Sequence, residues 1–246
     1  DIDFKFSDAL SCADNLLTFK TVVKAIAARN GLFASFAPKP LPGKSGSGLH
    51  INLSLSRNGY NVFKSGNEEH SKEAESFIAG ILQKTPEMTA FLNPLPMSFD
   101  RFGEYEAPKY VSWSHGNRSQ LIRIPAAIGE KVRMELRSPD PAINPYLAFG
   151  LVISAGLWGI ENELSLPESF NVDLYTADTN IINRLTPLPG DMKQALILAE
   201  QSEFIKNTLP SDILSKYITL KEEEYNAYLN ADDKYEYFME HYFRAI

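Results

Sequence analysis

Two short alternating segments gather side chains that could do chemistry. In His50-Ile51-Asn52-Leu53-Ser54, a period of two points His50, Asn52 and Ser54 one way and Leu49, Ile51, Leu53 and Leu55 the other. A neutral imidazole can ligate a divalent cation, while the amide and hydroxyl can hydrogen-bond a nucleotide. In Arg133-Met134-Glu135-Leu136-Arg137 the same period sets a carboxylate between two guanidinium groups. As a surface feature this row is a salt-bridge ladder; as a site it is a metal-ligand carboxylate flanked by anion-binding cations. Arg101, Arg118 and Arg123 precede it, so five arginines fall between Arg101 and Arg137. Guanidinium forks suit carboxylates and phosphates, and the natural inference is a polyanionic substrate accompanied by a divalent cation.

The glycine-rich turn Gly43-Lys44-Ser45-Gly46-Ser47-Gly48 precedes the first of these segments. It does not satisfy the phosphate-loop template, which needs glycine where Pro38 stands and a helix where alternation predicts a strand. Nor is it a dinucleotide fingerprint, because Ile51 occupies the place of the third glycine. What remains is a turn whose bare backbone lets a ligand approach closely.

The chain's overall charge sharpens this reading. The 246 residues carry a formal charge of -7, so the mean field repels phosphates and argues against a general nucleic-acid or anionic-membrane binder. A phosphate ligand must therefore be held by a local arginine cluster. Cys12 stands alone, which excludes an internal disulfide framework and fits a reducing, cytoplasmic compartment. No apolar run approaches the ~18 residues of a spanning helix. The first residue is Asp1, and strand-like alternation begins at once, which suggests a piece of a longer protein.

The elements that must position these residues follow from periodicity. Ile2 to Phe6 and Leu32 to Phe36 read as strands, and Ser7 or Asp8 can cap a helix that ends at Asn30-Gly31. His50 to Ser56 is a strand, and Asn58-Gly59 marks a hairpin into Tyr60 to Phe63. Ser71 starts a helix to about Lys84, with a second short helix from Pro86. Residues 93–119 read as long loops, Gln120 to Pro125 and Arg133 to Arg137 as strands. Asn144 to Leu164 is an apolar helix, and Met192 to Lys206 and Ile213 to Leu229 are amphipathic ones. Asp233 to Ala245 closes the chain as an aromatic-rich helix. Strands before residue 140 and helices after it predict a single α+β domain over residues 1–246.

Several ordered motifs resemble the glutamine synthetase family. Phe36-Ala37-Pro38-Lys39-Pro40, Gly46-Ser47-Gly48-Leu49-His50 and Ser54 look like its ATP-region signature. Tyr105-Glu106-Ala107-Pro108, Asn117-Arg118-Ser119, Ile122-Arg123-Ile124-Pro125 and Glu135-Leu136-Arg137-Ser138-Pro139-Asp140-Pro141 resemble later blocks in the same order, followed by Asn144-Pro145-Tyr146-Leu147-Ala148. The resemblance implies a catalytic domain with an antiparallel half-barrel sheet backed by helices, lacking the family's small N-terminal β domain. It implies a ligase that joins ammonia to glutamate through γ-glutamyl phosphate, using ATP and Mg2+ or Mn2+. A homo-oligomeric ring, a dodecamer when full length, is implied too, with the isolated piece inactive.

By the same resemblance, His50 and Glu135 match metal ligands, and Asp1 falls where a further ligand would sit. Asn52 and Ser54 match nucleotide contacts, and Arg118 and Arg123 match arginines that hold the transferred phosphate. Ser45, Gly46, Arg101 and Arg137 match glutamate-binding positions. Glu106 matches the acid of a flap that closes over the site and helps deprotonate ammonium. Tyr175, in Asp173-Leu174-Tyr175, lies near a segment adenylylated in some members. The block Ser98 to Tyr105 is shorter than the family's usual form. Two further readings share the fold: a γ-glutamyl-polyamine or other amine ligase, and a non-catalytic structural relative.

Overall fold

The apolar centre of the protein is a pair of helices that touch through glycines. In the computed structural model, which describes residues 2–64 and 70–246, α2 (Lys72–Leu92) and α3 (Pro145–Glu161) lie against each other. A Cβ on Gly80 would fall 2.3 Å from the Ala155 carbonyl oxygen, and one on Gly159 would fall 2.1 Å from that of Ser76. The backbones can meet this closely only because neither position carries a side chain. Ser71 caps α2 and Asn144 caps α3, each accepting from amides of its first turn. Pro86 lies inside α2 rather than opening a new helix. Its missing N–H costs one helical bond, and the buried faces on both sides of it hold the helix continuous.

The remaining helices frame this pair. The first, α1 (Ala9–Arg29), is capped by Asp8 and reaches the body through Tyr146, whose hydroxyl donates to Asp14, and through Lys20, which donates to the Pro141 carbonyl. Only Ala13 and Leu16 of α1 are buried, so much of its apolar stripe faces outward. After a short α4 (Thr179–Ile182), α5 (Met192–Gln201) and α6 (Glu203–Thr208) replace the single helix expected over Met192 to Lys206. Ser202 divides them by capping α6 through its hydroxyl. Then come α7 (Ser211–Asn230) and α8 (Lys234–Phe238), the latter running into one π-helical turn, and the Phe36 amide donates to the C-terminal Ile246 carbonyl.

Among the described residues six short strands complete the α+β fold: β1 (Ile51–Leu53), β2 (Ser56–Arg57), β3 (Tyr60–Asn61), β4 (Trp113–His115), β5 (Ile122–Ile124) and β6 (Met134–Leu136). The pair β2–β3 is the expected hairpin, with Asn58 and Gly59 at φ of 53° and 82° as its turn requires. The other four form a sheet in the order β1-β6-β5-β4. This sheet is mixed rather than wholly antiparallel, because β4 runs parallel to β5. The strand β4 lies inside the stretch expected to be loop, and neither Ile2 to Phe6 nor Leu32 to Phe36 forms a strand. Alternation gives a segment two faces but supplies no neighbouring strand to pair with.

The register fixes the two faces of the sheet. Ile51, Leu136, Ile122 and Trp113 are cross-strand neighbours and enter the main core. Asn52, Glu135, Arg123 and Ser114 form the adjacent row, directed to the opposite face.

Candidate active site

Glu135 sits at the centre of the sheet's polar face with 5% of its surface exposed, while Asn52 and His50 at one edge of that face are exposed. His50 Nδ1 approaches Oε1 to 3.2 Å, while Arg123 Nε and Arg137 Nη1 lie 2.6 and 3.1 Å from Oε2. The Arg123 approach lies off the hydrogen-bond axis, leaving Oε2 with electron pairs that no aligned donor uses. Burial alone would raise the Glu135 pKa. The hydrogen bond from His50 and the charges of Arg137, His50 and Arg123 outweigh it and hold the carboxyl at about 2. At neutral pH the site therefore presents an ionised carboxylate.

These groups fit a divalent cation. Metal–oxygen bonds of ~2.1 Å place neighbouring ligands of an octahedron ~3 Å apart, close to the His50–Glu135 separation. Both are donors of the right chemistry, and the imidazole nitrogen nearest the carboxylate is Nδ1. Among the described residues no cluster of three or more His, Cys, Asp or Glu side chains surrounds a common point. Water and the oxygens of a phosphate ligand can fill further positions of the shell, as is usual for Mg2+. Asp1, expected as a further ligand, lies outside the described residues.

The arginines are held by backbone carbonyls as much as by acids. Arg137, 2% exposed, donates from Nε to the Arg118 carbonyl and from Nη2 to that of Glu106. Arg101, buried to 4%, donates to the carbonyls of Ser138 and Pro139. Burial lowers its pKa while Asp140 acts in the opposite direction, and it keeps its charge. Asn93 ties down the same segment by donating to the Ser138 carbonyl and to Asp140.

Two loops roof the face. Gly46 packs so tightly that a Cβ there would fall 2.4 Å from the Pro38 carbonyl oxygen and 3.0 Å from Arg101 Cγ. Ser45 beside it is exposed. The second loop, residues 103–107, carries Tyr105 and Glu106 at φ of 46° and 68°, the left-handed region that costs an L-residue roughly 1–2 kcal/mol. Glu106 meets Arg118 at 3.4 Å and Arg137 at 3.7 Å. Lys39 Nζ lies over the Tyr105 ring at 4.8 Å, and the Tyr105 hydroxyl donates to the Gly43 carbonyl. The two loops thus hold each other.

Of the residues singled out from the sequence, His50, Arg101, Glu106, Arg118, Arg123, Glu135 and Arg137 converge on this region. Asn52 and Ser54 continue the His50 face, but Asn52 accepts from Arg133 at the surface. Ser114 was missed. It is fully buried beside Arg123, and its hydroxyl has no protein hydrogen-bond partner. The local alternation Trp113-Ser114-His115 was its available signal, obscured by proline- and glycine-rich surroundings. Asn93 and Asp140 were also missed as supports for Arg101.

Comparison with known proteins gives the family. The family model described as glutamine synthetase, catalytic domain, matches residues 1–240. Glutamine synthetases of Methanosarcina mazei and Clostridium saccharobutylicum are 46% and 43% identical over 93% of this chain. The one from Thermus thermophilus is 42% identical over the same share. The chain spans about half the length of these relatives, 52%, 53% and 52% respectively. A solved structure described as a GmaS/ADP complex superposes with a TM-score of 0.84 at 30% identity, covering 96% of this chain and 55% of that one. One described as apo GmaS without ligand gives 0.83 at 31%, covering 94% and 53%. By the extent of the family match and the identity of these relatives, this chain belongs to the glutamine synthetase catalytic-domain family.

Proposed function

We propose that this chain is the catalytic domain of an ATP-dependent ligase that forms glutamine from glutamate and ammonia. The observation that carries the reading is Glu135, ionised under cover, with His50 on one oxygen and two arginines on the other. The reaction must bring a carboxylate to a polyphosphate, and a surface of fixed cations around one ligand-type acid suits that task.

In the first step an oxygen of the glutamate side-chain carboxylate attacks the terminal phosphorus of ATP. The bond to the bridging oxygen breaks, giving γ-glutamyl phosphate and ADP. In this reading Arg118 and Arg123 neutralise charge on the transferring phosphoryl group, and Arg101 and Arg137 hold the glutamate carboxylates. Ammonia then attacks the acyl carbon, phosphate departs, and Glu106 accepts a proton from the nitrogen. The loop bearing Glu106 keeps water from the acyl phosphate. His50 and Glu135 would hold Mg2+ or Mn2+, which when bound supplies charge neutralisation at the phosphates. In the same reading Asn52 and Ser54 contact the nucleotide.

A homo-oligomeric ring and a cytoplasmic location belong to the same proposal. No helix among the described residues is long and apolar enough to cross a membrane. The test is product formation by the full-length protein from glutamate, ATP and Mg2+, with ammonium in one series and putrescine in another. Glutamine with ammonium supports the reading. A γ-glutamyl amide formed only with putrescine replaces it with an amine ligase. Absence of any ATP-dependent product sinks both.

A further inference from the structure

The loop that carries Glu106 is held by a residue outside the sheet. Two consecutive non-glycine residues, Tyr105 and Glu106, occupy left-handed backbone there, so this turn keeps its shape only under constraint from its neighbours. Inside the turn, the Gly103 amide donates to the Ala107 carbonyl and the Ala107 amide to that of Glu104. Arg137 reaches the Glu106 carbonyl at 3.4 Å. The Ala107 carbonyl accepts a second bond from outside, from the Tyr175 hydroxyl at 3.1 Å.

Tyr175 is itself well anchored. Its amide donates to its neighbour's side chain, Asp173 Oδ1, at 3.0 Å, and the Leu174 amide donates to Ser119 Oγ at 2.9 Å. Gln120 Nε2 donates to the Val172 carbonyl. Segment 172–175 is therefore fastened to the loop that bears Arg118, and its phenol spans the gap to the loop that bears Glu106. Burial, opposed by Arg137 and reinforced by Asp173 and Glu106, pushes the Tyr175 pKa up to about 12, so its proton is retained. A protonated phenol can serve as the donor to a carbonyl at any physiological pH.

We propose that Tyr175 is a positioning residue: its hydroxyl latches the Gly103–Ala107 turn against the Arg118 loop, so that Glu106 is presented at a fixed distance from Arg118 and Arg137. The latch rests on these contacts alone. Its consequence for the reaction rests on the ligase reading, in which a loose Glu106 turn admits water to the acyl phosphate.

The experiment compares wild-type and Tyr175→Phe full-length protein, a change that removes one oxygen and keeps the ring. Hydrogen exchange of the amides in 103–107 should accelerate about three- to tenfold, the size expected for one lost hydrogen bond, while exchange elsewhere is unchanged. Phosphate released per glutamine formed should rise, with kcat for glutamine falling more than the ATP affinity. Unaltered exchange in 103–107 overturns the latch, and so does a uniform increase across the whole protein. Faster exchange with unchanged coupling overturns the positioning role. Faster exchange in a protein whose wild type makes no glutamine supports the latch and removes the ligase reading instead.

Discussion

Arg123 Nε stands 2.6 Å from Glu135 Oε2, on the oxygen opposite the one that His50 faces. The carboxylate thus divides its charge between an imidazole on one oxygen and two guanidinium groups on the other, and these neighbours keep it ionised. Because Arg123 and Glu135 are direct cross-strand partners, this division is built into the register of β5 and β6.

The first expected outcome concerns pH. The Glu135 carboxyl lies at about 2 in the folded protein and near 4.3 in an unfolded chain, so its ionised form favours folding. The sign follows: the contribution is complete above pH ~4.3 and is lost as pH falls toward 2. Urea midpoints measured from pH 7 down to pH 3 should fall more steeply for the wild type than for Glu135→Gln. Parallel curves would show that His50, Arg123 and Arg137 do not hold the acid ionised.

Replacing Arg123 separates charge on the phosphoryl group from nucleotide binding. Arg123→Ala in the full-length enzyme should lower turnover by roughly 10²–10³-fold, the cost of losing one donor to developing charge. ATP affinity should change much less. Arg123→Lys should restore only part, since a point charge cannot reproduce the guanidinium fork. Steady-state kinetics beside nucleotide titration checks this, and unchanged turnover in a folded Arg123→Ala protein would remove the residue from the mechanism.

A third outcome tests the helix contact beneath the sheet. Gly159→Ala forces a Cβ to 2.1 Å from the Ser76 carbonyl oxygen, and α2 must move away. Overpacking of this kind costs about 1–3 kcal/mol. Gly150, on the same helix, has open space where its Cβ would go, and Gly150→Ala should stabilise by about 0.5–1 kcal/mol. Thermal melts of the two variants should move in opposite directions; equal shifts would mean that the glycine contact does not govern packing.

Much of this arrangement was legible because the relevant signals are local. Ser7 or Asp8 offered a cap for the first helix, and Asp8 serves; Ser71 marked the start of the second, Asn58-Gly59 announced its hairpin, and alternation placed His50 and Glu135 on definite faces. Pairing was not legible, since it depends on partners remote in sequence. Ile2 to Phe6 alternates as well as β1 does yet forms no strand, whereas β4 pairs with β5 from within a stretch of irregular composition. Pro86 misled for a related reason: its local cost is outweighed by burial of the helix faces on either side. The resemblance brought Arg118, Arg123, Arg137 and Glu106 into one expected site. Arg101's dependence on Asn93 and Asp140 needed coordinates, because backbone carbonyls leave no mark in a sequence.

The pairing of β1 with β6 has a kinetic meaning. Helices form from residues adjacent along the chain, but Asn52 meets Glu135 only after a long intervening loop has closed. During refolding, helical signal should therefore return ahead of the ion cluster, and for that interval Glu135 is an ordinary acid with no counter-charges. Dichroism would report a nearly finished molecule while the His50–Glu135–Arg123 cluster was still unassembled. A probe of that ion cluster is then a stricter gauge of completed molecules than any spectrum of their helices.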